Sequence, residues 1–443
     1  MRTAISTLRL ITLSFLLVLS ASVFAHCQHG SLSRISLDRW LQDPEVHLPG
    51  WSVQIDSPFL AFPLRMAVEV YAKADLEKLK AVGHTLHFFV KVADSKGRWF
   101  PERRYSSIGN LPKSGGITVA ERFYAKPGDY TVALVVYDST SGKHGVWKRS
   151  VHVEENDGLP TYPSAAAVEF FDPSEPFKPG EVPALPPVEN RKPLRMDIVV
   201  NLTERTELEL GDQQDLVAGQ LSHSHAVVRP VVPEWQLGLD RQEAYTDSLL
   251  SVAELVAQTN LKGCVRVSVV DAARGKVLLD RRSSFEPGRM FAAVREHRNT
   301  NKVDAHVLAA RQNAGSYFRS FLEEIIGDDS GCGSEDLRTA RAIVVISDSL
   351  LFPDSKQLTP LGMPAAATHS TRFYLFRLSV KELMRLYTSR AGYTPMPIAR
   401  GDHVARLFQY LDVTRFDLSQ PKDLQKALPK FWDDLKDSEQ KAP

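Results

Sequence analysis

The sequence predicts a multidomain chain: an all-β antiparallel sandwich followed by an α/β doubly wound sheet with one antiparallel edge strand. Three observations predict it. From about residue 51 to 155 apolar residues alternate with a period of two, as strands with one buried face require. Residues 158–193 hold nine prolines and no periodicity, which favours an extended, semi-rigid joint. After Pro193 short, near-continuous apolar runs alternate with helical stripes, the grammar of parallel strands covered on both faces.

Composition narrows the class. A length of 443 residues sets a prior of about three domains at roughly 150 residues each. Lys plus Arg is 54 and Asp plus Glu is 53, a formal charge of +1. That balance argues against nucleic acid as a partner, because phosphate affinity needs clustered positive charge. Hydrophobic residues at 43% leave ample material for cores. No repeat of 20 to 50 residues is visible. Three cysteines are too few for a disulfide scaffold or a structural zinc cluster.

In chain order, residues 1–25 read as a secretory signal. Arg2 and Arg9 precede an apolar stretch over 10–19, and Val23-Phe24-Ala25 supplies a small-x-small cleavage pattern. The stretch is short of the ~20 residues a membrane span needs, and His26 follows at once. In Phe24-Ala25-His26-Cys27 a histidine stands where a lipid-bearing cysteine would be preceded by a small residue. Cleavage after Ala25 removes two arginines and no acid, taking the charge from +1 to −1. The expectation is an exported protein, periplasmic or extracellular, with no transmembrane span after cleavage. A short segment, 26–45, leads into the sandwich, 46–156; the Pro-rich linker is 157–193, the α/β domain 194–437 and the tail 438–443.

Within the sandwich the runs 66–70, 86–92 and 130–137 are β-branched and aromatic. In Lys126-Pro127-Gly128-Asp129-Tyr130, a tyrosine opens a strand after Gly-x, which resembles the tyrosine corner of Greek-key sandwiches. Tyr130, Val132, Leu134 and Val136 then point one way, and Thr131, Ala133, Val135 and Tyr137 the other. Trp99, Phe100, Phe123 and Tyr124 are read as core rather than as a binding stripe. This half resembles an immunoglobulin-like module of bacterial exported proteins.

In the α/β half the core strands are 196–200, 265–270, 342–346 and 373–376. Helices are expected over 247–259, 303–326, 380–388 and 403–411. Asp271 to Lys276 reads as a tight turn into an antiparallel strand over 277–280. Cys264 and Cys332 both fall at amino ends of strands in this sheet; outside the cytoplasm a bridge and two unpaired thiols are the alternatives.

Ligands of such sheets bind beyond the carboxyl ends of the strands. The residues there are Asn201-Leu202-Thr203-Glu204-Arg205 and Ser347-Asp348-Ser349, with Asn299 to Ala305 before the long helix. This arrangement resembles the von Willebrand factor type A (VWA) domain, most nearly the VWA-related domain of exported acidobacterial-type proteins. The resemblance runs over about 194–435 and includes the ending, Thr414 to Leu428. It implies a metal-ion-dependent adhesion site, with Asp-x-Ser-x-Ser, a threonine and an aspartate. By position these become Asn201, Thr203, Arg205, Thr300 and Asp348.

The pattern is degraded where the metal would sit. Mg²⁺ wants oxygen ligands, anionic ones included. Thr203, Thr300 and Asp348 could supply oxygens, and Asn201 only a neutral carbonyl; a guanidinium such as Arg205 has donors only. Held ~4 Å from a divalent ion at an effective dielectric of ~20, it costs on the order of 8 kcal/mol. The expectation is therefore no cofactor, the alternative being Mg²⁺ held by Thr203, Thr300 and Asp348 with Arg205 swung out. Without metal, one reading has Arg205 stand in for the cation, bridging Asp348 and facing an acidic protein partner. The bland alternative is a degenerate rim that is merely solvated.

Other chemistry finds little support. His223-Ser224-His225 lacks a third ligand nearby. No Gly-x-Ser-x-Gly, Gly-x-Gly-x-x-Gly, P-loop or His-Glu-x-x-His occurs. The functional expectation is a secreted, non-enzymatic adhesion or envelope-assembly protein acting by protein–protein interaction. The alternatives are an exported hydrolase with an unrecognised site and a structural spacer.

Overall fold

The computed structural model describes residues 37–437 except 43, 102, 110, 112, 114–115, 163–164, 171–184, 186–187, 189–192, 204–245, 247, 260–261, 281–289, 291, 295, 298–309, 329–339, 349, 351, 355, 357, 363–370 and 379–401. The described strands form three sheets, consistent with a multidomain chain.

The first half opens with helix α1 (Leu37–Gln42) and builds two antiparallel sheets. One contains β1 (Trp51–Ile55), β2 (Phe59–Leu60), β3 (Met66–Asp75), β6 (Gly116–Ala125) and β9 (Val168–Phe170), with the short α2 (Leu76–Leu79) after β3. The other runs β5-β4-β7-β8, made of β4 (Leu86–Asp94), β5 (Arg104–Ile108), β7 (Gly128–Asp138) and β8 (His144–Val153). A shared core fills the space between them, with Val68, Val70, Phe88, Val92, Phe123 and Leu134 among its members.

The period-two reading of β7 survives in detail. Tyr130, Val132, Leu134 and Val136 enter that core, while Ala133, Val135 and Tyr137 join a cluster under α1. The Tyr130 hydroxyl donates to the Lys126 carbonyl oxygen at 2.8 Å, the expected corner bond. Phe100 and Phe123 pack in the inter-sheet core, whereas Trp99 lies with the α1 cluster and Tyr124 in a small one beside Phe59.

The Pro-rich segment begins differently from a free joint. Its residues 168–170 form β9, hydrogen-bonded antiparallel to β6, so that part of the joint belongs to the first sheet.

The third sheet has the order β12-β11-β10-β13-β14-β15. Its strands are β10 (Leu194–Asn201), β11 (Gly263–Asp271), β12 (Lys276–Leu279), β13 (Ala340–Asp348), β14 (Thr371–Leu378) and β15 (Val413–Leu418). Every pair is parallel except β11 with β12. A 3₁₀ turn over Ala272–Arg274 and Gly275, at φ +58°, makes the tight reversal into β12; a left-handed residue there suits glycine.

Both faces are covered. On one, the helix over 248–257 and α5 (Pro421–Asp437) pack against Ile198, Val200, Val267, Val344 and Phe376. On the other, α3 (Ala314–Gly327) and α4 (His403–Leu407) cover Val199, Val345 and Leu375. The alternation of neighbours such as Val199 and Val200 between faces follows from the two-residue repeat. Asp354 accepts from the backbone N–H of Gly315 and Ser316 and from the Ser316 hydroxyl, capping α3. The helix expected over 380–388 lies outside the described residues. Among the described residues no helix is long and apolar enough to cross a membrane.

Candidate functional site

The first and fourth strands of the α/β half, β10 and β13, lie side by side, so the residues ending them meet. Asn201 and Asp348 are each 0% exposed, and Thr203 is buried beside them. The Asn201 Nδ2 donates to the Ser347 hydroxyl at 3.0 Å, and that hydroxyl donates to the Asp348 carbonyl oxygen at 3.0 Å. Asn201 Oδ1 accepts from the Thr203 backbone N–H at 3.1 Å and from its hydroxyl at 2.5 Å. The Thr203 hydroxyl oxygen accepts in turn from the Ala272 N–H at 2.8 Å, tying in the turn after β11.

Those bonds decide what the cluster can hold. Two groups of Thr203 already occupy the Asn201 carbonyl oxygen, and the Thr203 oxygen is bonded on both sides. Asp348 is the one anion in this Asn–Thr–Ser–Asp cluster, so the arrangement does not fit a tightly bound hard divalent ion. Among the described residues no group of three or more His, Cys, Asp and Glu side chains could hold a metal.

A second feature at the same end escaped sequence reasoning. Asp271, the last residue of β11, is 1% exposed. Its Oδ2 faces His297 Nε2 at 2.9 Å and Arg274 Nε at 3.3 Å. Its Oδ1 is buried without a hydrogen-bond partner. A carboxylate only accepts, so His297 carries its proton on Nε2. The position of Asp271 after an apolar run was a signal; His297, 26 residues further on, had none.

At the amino end of the sheet lies a charged core. Asp197 of β10 accepts from Arg195 Nε at 2.9 Å, Arg266 Nε at 2.8 Å and Arg341 Nε at 2.9 Å. Asp328 accepts from Arg195 and Arg266, and Arg341 also reaches the carbonyl oxygens of Ile325 and Ile326 at the end of α3. Burial pulls the Arg195 pKa down, against the attraction of Asp197. For Arg266 burial acts the same way, but Asp197 and Asp328 outweigh it and raise the pKa. This network joins three strands to a helix end and is structural.

Arg205, Thr300, His223 and His225 lie outside the described residues. Cys264 is disulfide-bonded; Cys332, the partner suggested for it, lies outside the described residues.

No protein-family model matches the chain, and no curated protein matches it. Solved structures show faint likenesses. A β-glucosidase from Listeria innocua aligns over 24% of this chain and 16% of its own, with 17% identity and a TM-score of 0.16. A Bacteroides uniformis β-glucuronidase aligns over 74% of this chain and 36% of its own, with 10% identity and a TM-score of 0.19. A family 123 glycoside hydrolase from Clostridium perfringens aligns over 78% and 71%, with 9% identity and a TM-score of 0.24. The chain thus spans about a sixth and a third of the first two proteins. TM-scores of this size define neither a shared fold nor a shared activity.

Proposed function

We propose that this is an exported, non-enzymatic adhesion or envelope-assembly protein, pairing an immunoglobulin-like sandwich with a degenerate VWA-like domain. Its binding edge is the carboxyl end of the parallel sheet, where Asn201, Thr203 and Asp348 lie and Arg205 and Thr300 belong by sequence. The protein partner is acidic, and recognition proceeds without metal. One observation carries this reading: the oxygens of Asn201 and Thr203 are committed to hydrogen bonds within the chain. An edge whose ligand oxygens are taken recognises its partner through fixed charge and shape. Arg205 supplies a permanent positive charge there, since guanidinium does not deprotonate in proteins.

The test is capture of envelope proteins by the immobilised full chain. Arg205→Glu should abolish capture of an acidic partner while leaving the thermal midpoint unchanged; unaltered capture removes this edge from consideration.

The Asp271–His297 pair favours a second reading, an exported hydrolase, because a carboxylate-oriented imidazole is general-base machinery. Purified full chain would then hydrolyse members of a chromogenic ester, phosphodiester or glycoside panel, and His297→Gln would not. Equal signals from the two proteins dispose of this alternative.

A further inference from the structure

The β2–β3 hairpin has a tip of an unusual kind. Hairpin tips run over the surface because their backbone needs water. Here Ala61, Phe62, Pro63 and Leu64 are all buried. Phe62 and Leu64, with Leu60, belong to one continuous apolar cluster with Val188, Met196 of β10 and Phe431 of α5. The first half's own inter-sheet core is a separate cluster that includes none of the three.

The tip is held in that shape. Leu64 sits at φ +56°, one of two non-glycine residues at positive φ among the described residues. Such a conformation persists only where the surroundings over-determine it. Ala61 N–H donates to the Arg65 carbonyl oxygen and Leu64 N–H to that of Ala61, both at 2.9 Å. The Tyr162 hydroxyl donates to the Pro63 carbonyl oxygen at 2.5 Å. The Arg65 guanidinium lies 4.6 Å from the Tyr124 ring centre and 5.1 Å from that of Tyr162, and pairs with Glu169 at 2.9 Å. A separate contact links α5 to the residues just after the sandwich, where Gln425 Nε2 donates to the Asp157 carbonyl oxygen at 2.9 Å.

We infer that the 61–65 tip is a plug that completes the hydrophobic core of the α/β half, so that the two halves form one rigid, cooperatively unfolding body. The occupant of this apolar tip is the chain's own second half. The angle between the sandwich and the sheet's carboxyl edge is then fixed by side-chain packing, and the Pro-rich segment does not act as a hinge. This inference does not rest on the function proposed above.

Two measurements on the full chain test it. Val82 and Tyr410 are 57% and 75% exposed and lie in different halves, so nitroxide-bearing residues placed there leave the cores intact. Dipolar spectroscopy should give a single narrow distance; a broad distribution in the otherwise unaltered chain overturns the inference. The second measurement is amide hydrogen exchange in the Phe62→Ala/Leu64→Ala double variant. Exchange in β10 and α5, far away in sequence, should accelerate on the order of 100-fold, because the cavity weakens the shared core. Acceleration confined to residues 51–170 would overturn it equally. A variant that fails to fold leaves the distance measurement to decide.

Discussion

Replacing Asp197 by alanine should be the most damaging single change in the α/β half. Asp197 takes contacts from Arg195 Nε at 2.9 Å, Arg266 Nε at 2.8 Å, and Arg341 Nε and Nη2 at 2.9 and 2.8 Å. Without it, Asp328, which accepts from Arg195 and Arg266, is the carboxylate left in this group of three guanidinium ions. The charge of these five groups rises from +1 to +2 around a site where the Asp197 side chain is only 2% exposed. Removing one partner from a buried ionic network costs about 3–5 kcal/mol, because the remaining charges stay desolvated. With a urea slope of about 3 kcal/mol/M, the upper end for small proteins, the midpoint should fall by roughly 1–1.7 M, and by less if the slope is steeper. Asp129 provides the control within the same molecule. It pairs with His152 at 2.7 Å, but both side chains are well exposed, so Asp129→Ala should cost no more than about 1 kcal/mol. Urea unfolding followed by tryptophan fluorescence reads both. If Asp197→Ala loses no more than Asp129→Ala, the reasoning about buried charge fails.

Three further outcomes are expected. Tyr130→Phe removes the bond to the Lys126 carbonyl oxygen and should destabilise the chain by about 0.5–1.5 kcal/mol in chemical denaturation. Asp354→Ala strips three hydrogen bonds from the start of α3 and should cost about 1–2 kcal/mol, with faster exchange of the Gly315 and Ser316 amides. The third concerns pH. Burial, helped by Arg406, lowers the His403 pKa below 6.5, and its Nδ1 accepts from the Phe352 N–H at 2.7 Å. The unfolded chain therefore binds this proton more readily than the folded one. The stabilisation is complete above pH 6.5 and declines as pH falls from there through the folded value. His403→Gln should flatten that part of the stability–pH curve, which a denaturation series from pH 7.5 to 5 would reveal.

How much of this was legible in the sequence depends on whether a feature is local. The runs at 196–200, 265–270, 342–346 and 373–376 each became the middle of a parallel strand, because apolar residues on both faces need cover on both sides. Tyr130 announced its corner within five residues. The ionic core was hidden for the opposite reason. Asp197 and Arg266 look like interruptions of apolar strands, and only the register, which sets Asp197 beside Arg266, turns them into partners. The same holds for Asp271 and His297. The role of the 61–65 tip was not legible either, because nothing near it in sequence says that its cover lies in α5 and β10. At the candidate edge, position predicted that Asn201, Thr203 and Asp348 would gather. That the Asn201 carbonyl oxygen would be spent on Thr203 is a matter of side-chain rotation, which residue spacing does not encode.

The most direct test of the central claim is partner capture by the immobilised full chain in Mg²⁺ and in EDTA, with Arg205→Glu alongside. A metal-free charged edge predicts equal capture of an acidic envelope protein in both buffers and its loss in the variant. Capture that needs Mg²⁺, or that persists when Arg205 is reversed, would contradict it.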